Sequence, residues 1–184
     1  MRKGFLAAAL AAAVGFASLD FAAAGDAAPR DGDSADPGAS ACDSFAWPIE
    51  RERAWFGDAK LARRASGARL SRIDRAVELS LLPTKTVRFF LAPERAPRAD
   101  SYSGEVTFFG VPRPATYQVT LSDEAWIEVF ENGARLKSTS STDAKGCAGV
   151  RKSVRFRLAP GDLVLIQLSD AAKNSIKVAF AEAP

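Results

Sequence analysis

From residue 73 onward the chain alternates apolar and polar positions with a period of two, the signature of strands that bury one face. In AVELSLL (76–82), Val77, Leu79 and Leu81 alternate with Glu78 and Ser80. The same beat runs through TVRFFL (86–91), EVTFFGV (105–111), YQVTL (117–121) and AWIEVF (125–130). It returns in SVRFRL (153–158) and SIKVAFA (175–181), with DLVLIQLS (162–169) a hydrophobic strand between them. Asn132-Gly133 between two such runs predicts a tight hairpin turn, and Ala159-Pro160-Gly161 predicts another turn. Upstream the period lengthens. PIERERAWFGDAKLARRAS (48–66) reads as a helix, with Pro48 in its first turn and Glu50 and Glu52 at the positive end of its dipole. Arg63 and Arg64 fall near its negative end, Gly67 is its stop, and Gly57 is a weak point inside it.

About eight short strands after a single helix predict a mainly β protein, an antiparallel β-sandwich of jelly-roll or immunoglobulin-like kind with one N-terminal α-helix. The beginning of the chain follows a different logic. Arg2 and Lys3 precede an apolar run from Phe5 to about Leu19, and Ala22-Ala23-Ala24 offers a cleavage site before Gly25. That run is shorter than the ~20 residues of a membrane-spanning helix, so residues 1–24 read as a cleaved signal peptide. Residues 25–41, GDAAPRDGDSADPGASA, hold no large apolar side chain and read as a flexible leader. A calcium-loop reading of DGDSAD fails because Ala35 takes a ligand position. Residues 42–184 are then one sandwich domain, with its helix at about 48–66. The expected compartment is the periplasm or the cell exterior, with no transmembrane segment after cleavage.

Cysteine usage agrees with export. Cys42 opens the domain and Cys147 lies near its end, and two cysteines in an oxidising compartment are expected to form a disulfide. Lipidation of Cys42 is the main rival, since ASAC is a faint lipobox, but Ala39 stands where that motif wants Leu. The chain's formal charge is +3. Losing Arg2, Lys3 and Asp20 with the signal brings it to about +2, too little for a dedicated polyanion binder. No nucleic acid partner is expected.

The absence of histidine excludes Ser-His-Asp and Cys-His nucleophiles and the usual histidine-ligated zinc and iron centres. No Ser-x-x-Lys, Walker loop or G-x-G-x-x-G occurs. No cofactor or metal is implied. Glu105, Glu124, Glu128 and Glu131 leave only a carboxylate hydrolase open, so the protein is not expected to be an enzyme.

KSVRFRLAPGDLVLIQLSDAAKNSIKVAF, with ATYQVTLSDEAWIEVFENGARL before it, resembles the bacterial pre-peptidase C-terminal domain over about residues 104–180. The resemblance implies a noncatalytic sandwich appendage tied to targeting, secretion or carbohydrate contact. It lies in the rhythm of strands and turns, carries no site residue across, and lacks the aspartate-rich calcium pattern of some such domains.

With Val154, Phe156 and Leu158 facing the core, Arg151, Ser153, Arg155 and Arg157 share an outer face. Ile127 and Val129 inward likewise send Glu124, Trp126, Glu128 and Phe130 outward. Two readings follow. One is a polar–aromatic binding surface made of Trp126, Glu128, Arg151, Arg155 and Arg157, with the indole as platform. The other is cross-strand Glu–Arg pairing, with Trp126 covered by the helix or the leader. A second basic stretch, eight Lys or Arg between Arg51 and Arg75, suits either an anionic lipid surface or a solvated helix face. The expected function is a noncatalytic envelope binding or accessory module, its partner an envelope glycan, lipopolysaccharide or protein. The alternative is a structural or stress-related periplasmic protein, or an enzyme inhibitor, with no small ligand.

Overall fold

The computed structural model describes residues 41–71 and 73–184; the signal-peptide and leader readings lie outside the described residues, Ala41 excepted. The described residues fall in one compact unit. Among the described residues the helix α1 (Glu50–Gly57) precedes twelve strands. These are β1 (Arg63–Ala65), β2 (Ala68–Leu70), β3 (Arg75–Ser80), β4 (Leu82–Pro83), β5 (Tyr102–Val111) and β6 (Ala115–Leu121), then β7 (Trp126–Glu131), β8 (Ala134–Arg135), β9 (Ser138–Asp143), β10 (Lys152–Leu158), β11 (Gly161–Ala171) and β12 (Ser175–Glu182). They form two sheets. The first has the order β1-β3-β12-β6-β10-β9, the second β2-β5-β11-β7-β8 with β4 on β5.

The period-two pattern assigns the inner faces as expected. The first sheet supplies Val77, Leu79, Tyr117, Val119, Val154 and Phe156 to the core, and the second supplies Val106, Phe108, Ile127, Val129, Ile166 and Leu168. Phe180 of β12 bridges the layers, its ring 4.9 Å from Phe108 and 5.7 Å from Tyr117. The Asn132-Gly133 turn sits between β7 and β8 with both residues at positive φ, 48° and 85°, as a two-residue hairpin requires. The sandwich is mixed rather than purely antiparallel, because β1 runs parallel to β3 and β2 parallel to β5. The chain crosses from one sheet to the other at Ser66-Gly67, where Ser66 Oγ accepts the Glu105 N–H at 3.0 Å. Gly104 makes that crossing feasible, since a Cβ there would lie 2.8 Å from Ser66 Oγ.

Two expected elements differ. The helix spans Glu50–Gly57 rather than 48–66. Gly57 carries the full entropic cost of a helical glycine. Just beyond it, Asp58 Oδ1 captures the Lys60 N–H at 2.8 Å, offering the backbone a turn instead. Arg63 and Arg64, expected at the helix end, lie in β1, where Arg63 pairs with Glu78. TVRFFL is not a strand either. A 3-10 turn (Thr84–Thr86) leads into an irregular loop that runs to β5.

Both outer faces are covered in part. The segment from Cys42 through α1 lies on the first sheet and builds a small second core of Phe45, Trp47, Ile49, Phe56, Val150 and Ala179. Beneath it Glu52, 1% exposed, accepts from Arg51 and from Gln118 Nε2 at 3.0 Å. The Trp47 indole N–H donates to Ser153 Oγ at 3.2 Å. Cys42 and Cys147 form a disulfide across 105 residues, clamping the start of this segment to the loop before β10. A loop of that length is worth up to ~4.7 kcal/mol in chain entropy, and measured bridges usually give about 2–4 kcal/mol. A Cys42→Ser/Cys147→Ser protein should therefore lose about 2–4 kcal/mol, read as a lower urea midpoint with a steeper slope, because the unlinked unfolded chain exposes more surface. An unchanged midpoint would show that the Glu52 and Trp47 contacts hold the segment unaided.

Candidate functional site

The second sheet's outer face is covered by the loop that sequence periodicity reads as a strand. Its backbone groups are satisfied by side chains of the sheet beneath rather than by a neighbouring strand. The Phe90 N–H donates to Gln167 Oε1 at 3.1 Å, and Gln167 Nε2 donates to the Leu91 carbonyl, also at 3.1 Å. The Glu94 N–H donates to Glu128 Oε1 at 2.9 Å, and Arg135 donates to the Ala92 carbonyl. Phe90 meets Phe130 edge-on, with ring centroids 5.2 Å apart.

Farther along, Arg98 clasps Asp170. Its N–H and its Nε both donate to Oδ1, at 3.0 and 2.8 Å. Asp170 sits at an irregularity of β11 with φ of 63°, a left-handed conformation that Asp tolerates. Partial burial pushes its carboxyl up, but the hydrogen bonds and charge of Arg98 outweigh that and hold it below the ordinary aspartate range.

Past this clasp lies a polar cleft of about 480 Å³, whose working walls are Arg95, Arg98, Trp126, Arg151 and Asp170. Its size falls in the range of small-ligand sites. Arg151 is pinned by Glu124 at 2.7 Å and Asp143 at 2.9 Å. Trp126 is also a wall of a second cavity of about 450 Å³, a slot between the edge of β7 and strands β9 and β10. The Lys152 ammonium lies 5.6 Å from the centre of its ring, within cation–π range. The Trp126 indole N–H and the Ser169 hydroxyl beside it in the ladder are buried, with no hydrogen-bond partner among the described residues.

The structure separates the five residues read as one surface. Trp126 and Arg151 meet at the cleft, and Glu128 sits between slot and loop, hydrogen-bonded to Gln167 at 2.8 Å and paired with Arg135 at 3.2 Å. Arg155 and Arg157 belong to the other sheet and cannot join them. Arg155 stacks 4.1 Å from the Trp47 ring and donates to Gln118, and burial lowers its pKa. Arg157 is exposed on that sheet's outer side. The physical reason is that alternation tells which face of a strand is outward but not which of two sheets holds it. Sequence reasoning missed Arg95, Arg98, Lys152 and Asp170, which assemble through contacts spanning many residues with no local signature.

Among the described residues, no three His, Cys, Asp or Glu side chains converge as a metal would require. No helix among them is long and apolar enough to cross a membrane. That observation and the disulfide are compatible with an exported protein. No protein-family model matches the chain, and no curated protein matches it.

The clasp sets a pH dependence. The Asp170 carboxyl titrates lower folded than unfolded. Its stabilisation is therefore complete above the unfolded value of about 3.9 and is lost as pH falls below it. Following the Asp170 carboxyl and Arg98 guanidinium resonances by NMR should give one shared midpoint below about 3.9. A midpoint at or above that value would mean that the clasp does not form.

Proposed function

We propose that this protein is a noncatalytic binding or accessory module of the cell envelope, exported to the periplasm, that meets an envelope polymer or protein partner at the cleft beside Trp126. One observation carries this reading. The Trp126 indole stands as a shared wall of two adjoining cavities, with Arg95, Arg98 and Arg151 around it in the cleft. An aromatic wall with arginines around it suits a sugar ring, which offers an apolar face and polar edges. The likeness to the pre-peptidase C-terminal domain belongs to the same proposal. The Asp170 carboxylate of the cleft supports a noncatalytic role, since Arg98 holds it below the ordinary aspartate range. That is the opposite of the raised-pKa acid that carboxylate hydrolysis needs.

Co-sedimentation of the exported protein with peptidoglycan, lipopolysaccharide and outer-membrane vesicles tests the proposal. Saturable binding to one of these, weakened roughly tenfold by Trp126→Ala and also by Arg151→Ala, is expected. Arg157→Ala should bind as the parent does. Absence of binding to all three would leave a structural protein or an enzyme inhibitor. Turnover abolished by a single Glu→Gln change would leave a hydrolase.

A further inference from the structure

We propose that the slot between the two sheet edges seats one acyl chain of an anionic lipid. This deepens the preceding reading and rests on it, because slot and cleft share Trp126 as a wall.

The slot exists because the edge strand β9 carries the wrong side chains to close the sandwich. On its inner face Ser141 stands opposite Val154, and Ser138 stands opposite Phe156 across a bulge. Those are positions where an edge strand normally contributes apolar side chains to the core. On the facing sheet β8 is only two residues long, so β7 from Trp126 to Val129 has no strand beyond it. Ile127 and Val154 are consequently the least covered side chains of the main core, at 8% and 6% exposure. With Leu136 and Phe156 they give an apolar floor to the space of about 450 Å³. A sugar would find few partners on that floor, whereas a hydrocarbon chain gains with every methylene it buries there.

The rim decides the sign of the head group. Lys137, Lys152 and Arg135 face Glu94 and Glu128, leaving the lining one positive charge in excess. Arg135 is committed to Glu128 and Glu94. Lys137 has no ion-pair partner among the described residues. Lys152 holds Glu124 only at 3.4 Å and lies over Trp126, where slot and cleft meet. A chain seated in the slot would thus place its anionic head between two lysines, with its remaining polar part in the cleft.

The test is titration of the exported protein with sodium dodecanoate below its micellar concentration, followed by calorimetry and tryptophan fluorescence. Dodecanol serves as the uncharged probe. Saturable one-to-one binding is expected, tighter for dodecanoate than for dodecanol. Ser141→Leu, which fills the slot, should weaken it at least about tenfold without lowering the melting temperature. Ser138→Val provides a second filling variant should the first misfold, and Lys137→Glu/Lys152→Glu should erase the preference for the anion. No saturable binding, or binding indifferent to both filling variants, would overturn the slot as a lipid seat. A peptide strand adding to β9 would appear as such indifference. Trp126-dependent polymer binding without dodecanoate binding would overturn this inference alone. Slot-dependent dodecanoate binding without polymer binding would overturn the polymer reading and leave the slot standing.

Discussion

The buried carboxylate of Glu128 holds the arrangement on which both cavities depend. It is 3% exposed, accepts from the Glu94 N–H and Gln167 Nε2, and forms an ion pair with Arg135. Through these contacts it fixes an irregular loop against a sheet that would otherwise face water. A carboxylate taken out of water is tolerated only when such partners replace its hydration, and removing one side of a buried pair typically costs about 3–5 kcal/mol. The loop's path places Arg95 and Arg98 over the end of β11, and only then does a cleft form in front of Trp126. Glu52 plays the corresponding part on the other sheet, where Gln118 and Arg51 receive it beneath α1. Two buried acids, one under each cover, turn a two-layer sandwich into four layers.

Much of the fold is legible in the residues because a half-buried strand advertises itself. Val154, Phe156 and Leu158 face inward, and Ile127 and Val129 do the same. Asn132-Gly133 turns the chain where left-handed backbone is needed. The cysteine pair is legible for a different reason, since the only two cysteines of the sequence have few other uses in an oxidising compartment. The second-layer contacts are not legible. In VRFFL the alternation mimics a strand, but the N–H groups of Phe90 and Glu94 find their acceptors on Gln167 and Glu128, 77 and 34 residues away. The outward rows of β7 and β10 look equivalent in sequence, both mixing charge with aromatics or short polar residues. One lies under a loop and the other partly under Trp47, and no local pattern distinguishes them.

The arginine stripe VRFRL illustrates the difference between a charge and a site. Arg155 is spent on structure: its guanidinium lies over Trp47 while its Nε reaches Gln118, which in turn donates to Glu52. A planar, weakly hydrated cation suits that position, and lysine would not replace it. Arg151, four residues earlier, lies just before the strand and lines the cleft with the opposite consequence. Position along the chain, not residue type, separates the two roles.

A sandwich whose two outer faces are partly covered opens its inner, core-facing surfaces to a partner only at the edges, where strand pairing ends. Here the edges are unequal. At one side β1 and β2 share the short crossing segment that links the sheets, and the close approach at Gly104 keeps that side shut. At the other, β8 stops after two residues and β9 turns serines inward, so the sheets part and the core shows through. Both recessed spaces at Trp126 lie along this side, and the indole stands between them. An inner face of serines forgoes the burial that leucines would supply, about 1.5–3 kcal/mol for each side chain. It also keeps an exposed edge strand from offering an apolar surface to another copy of itself. The same choice of residue therefore protects the edge against aggregation and leaves an opening that a ligand of suitable shape can enter.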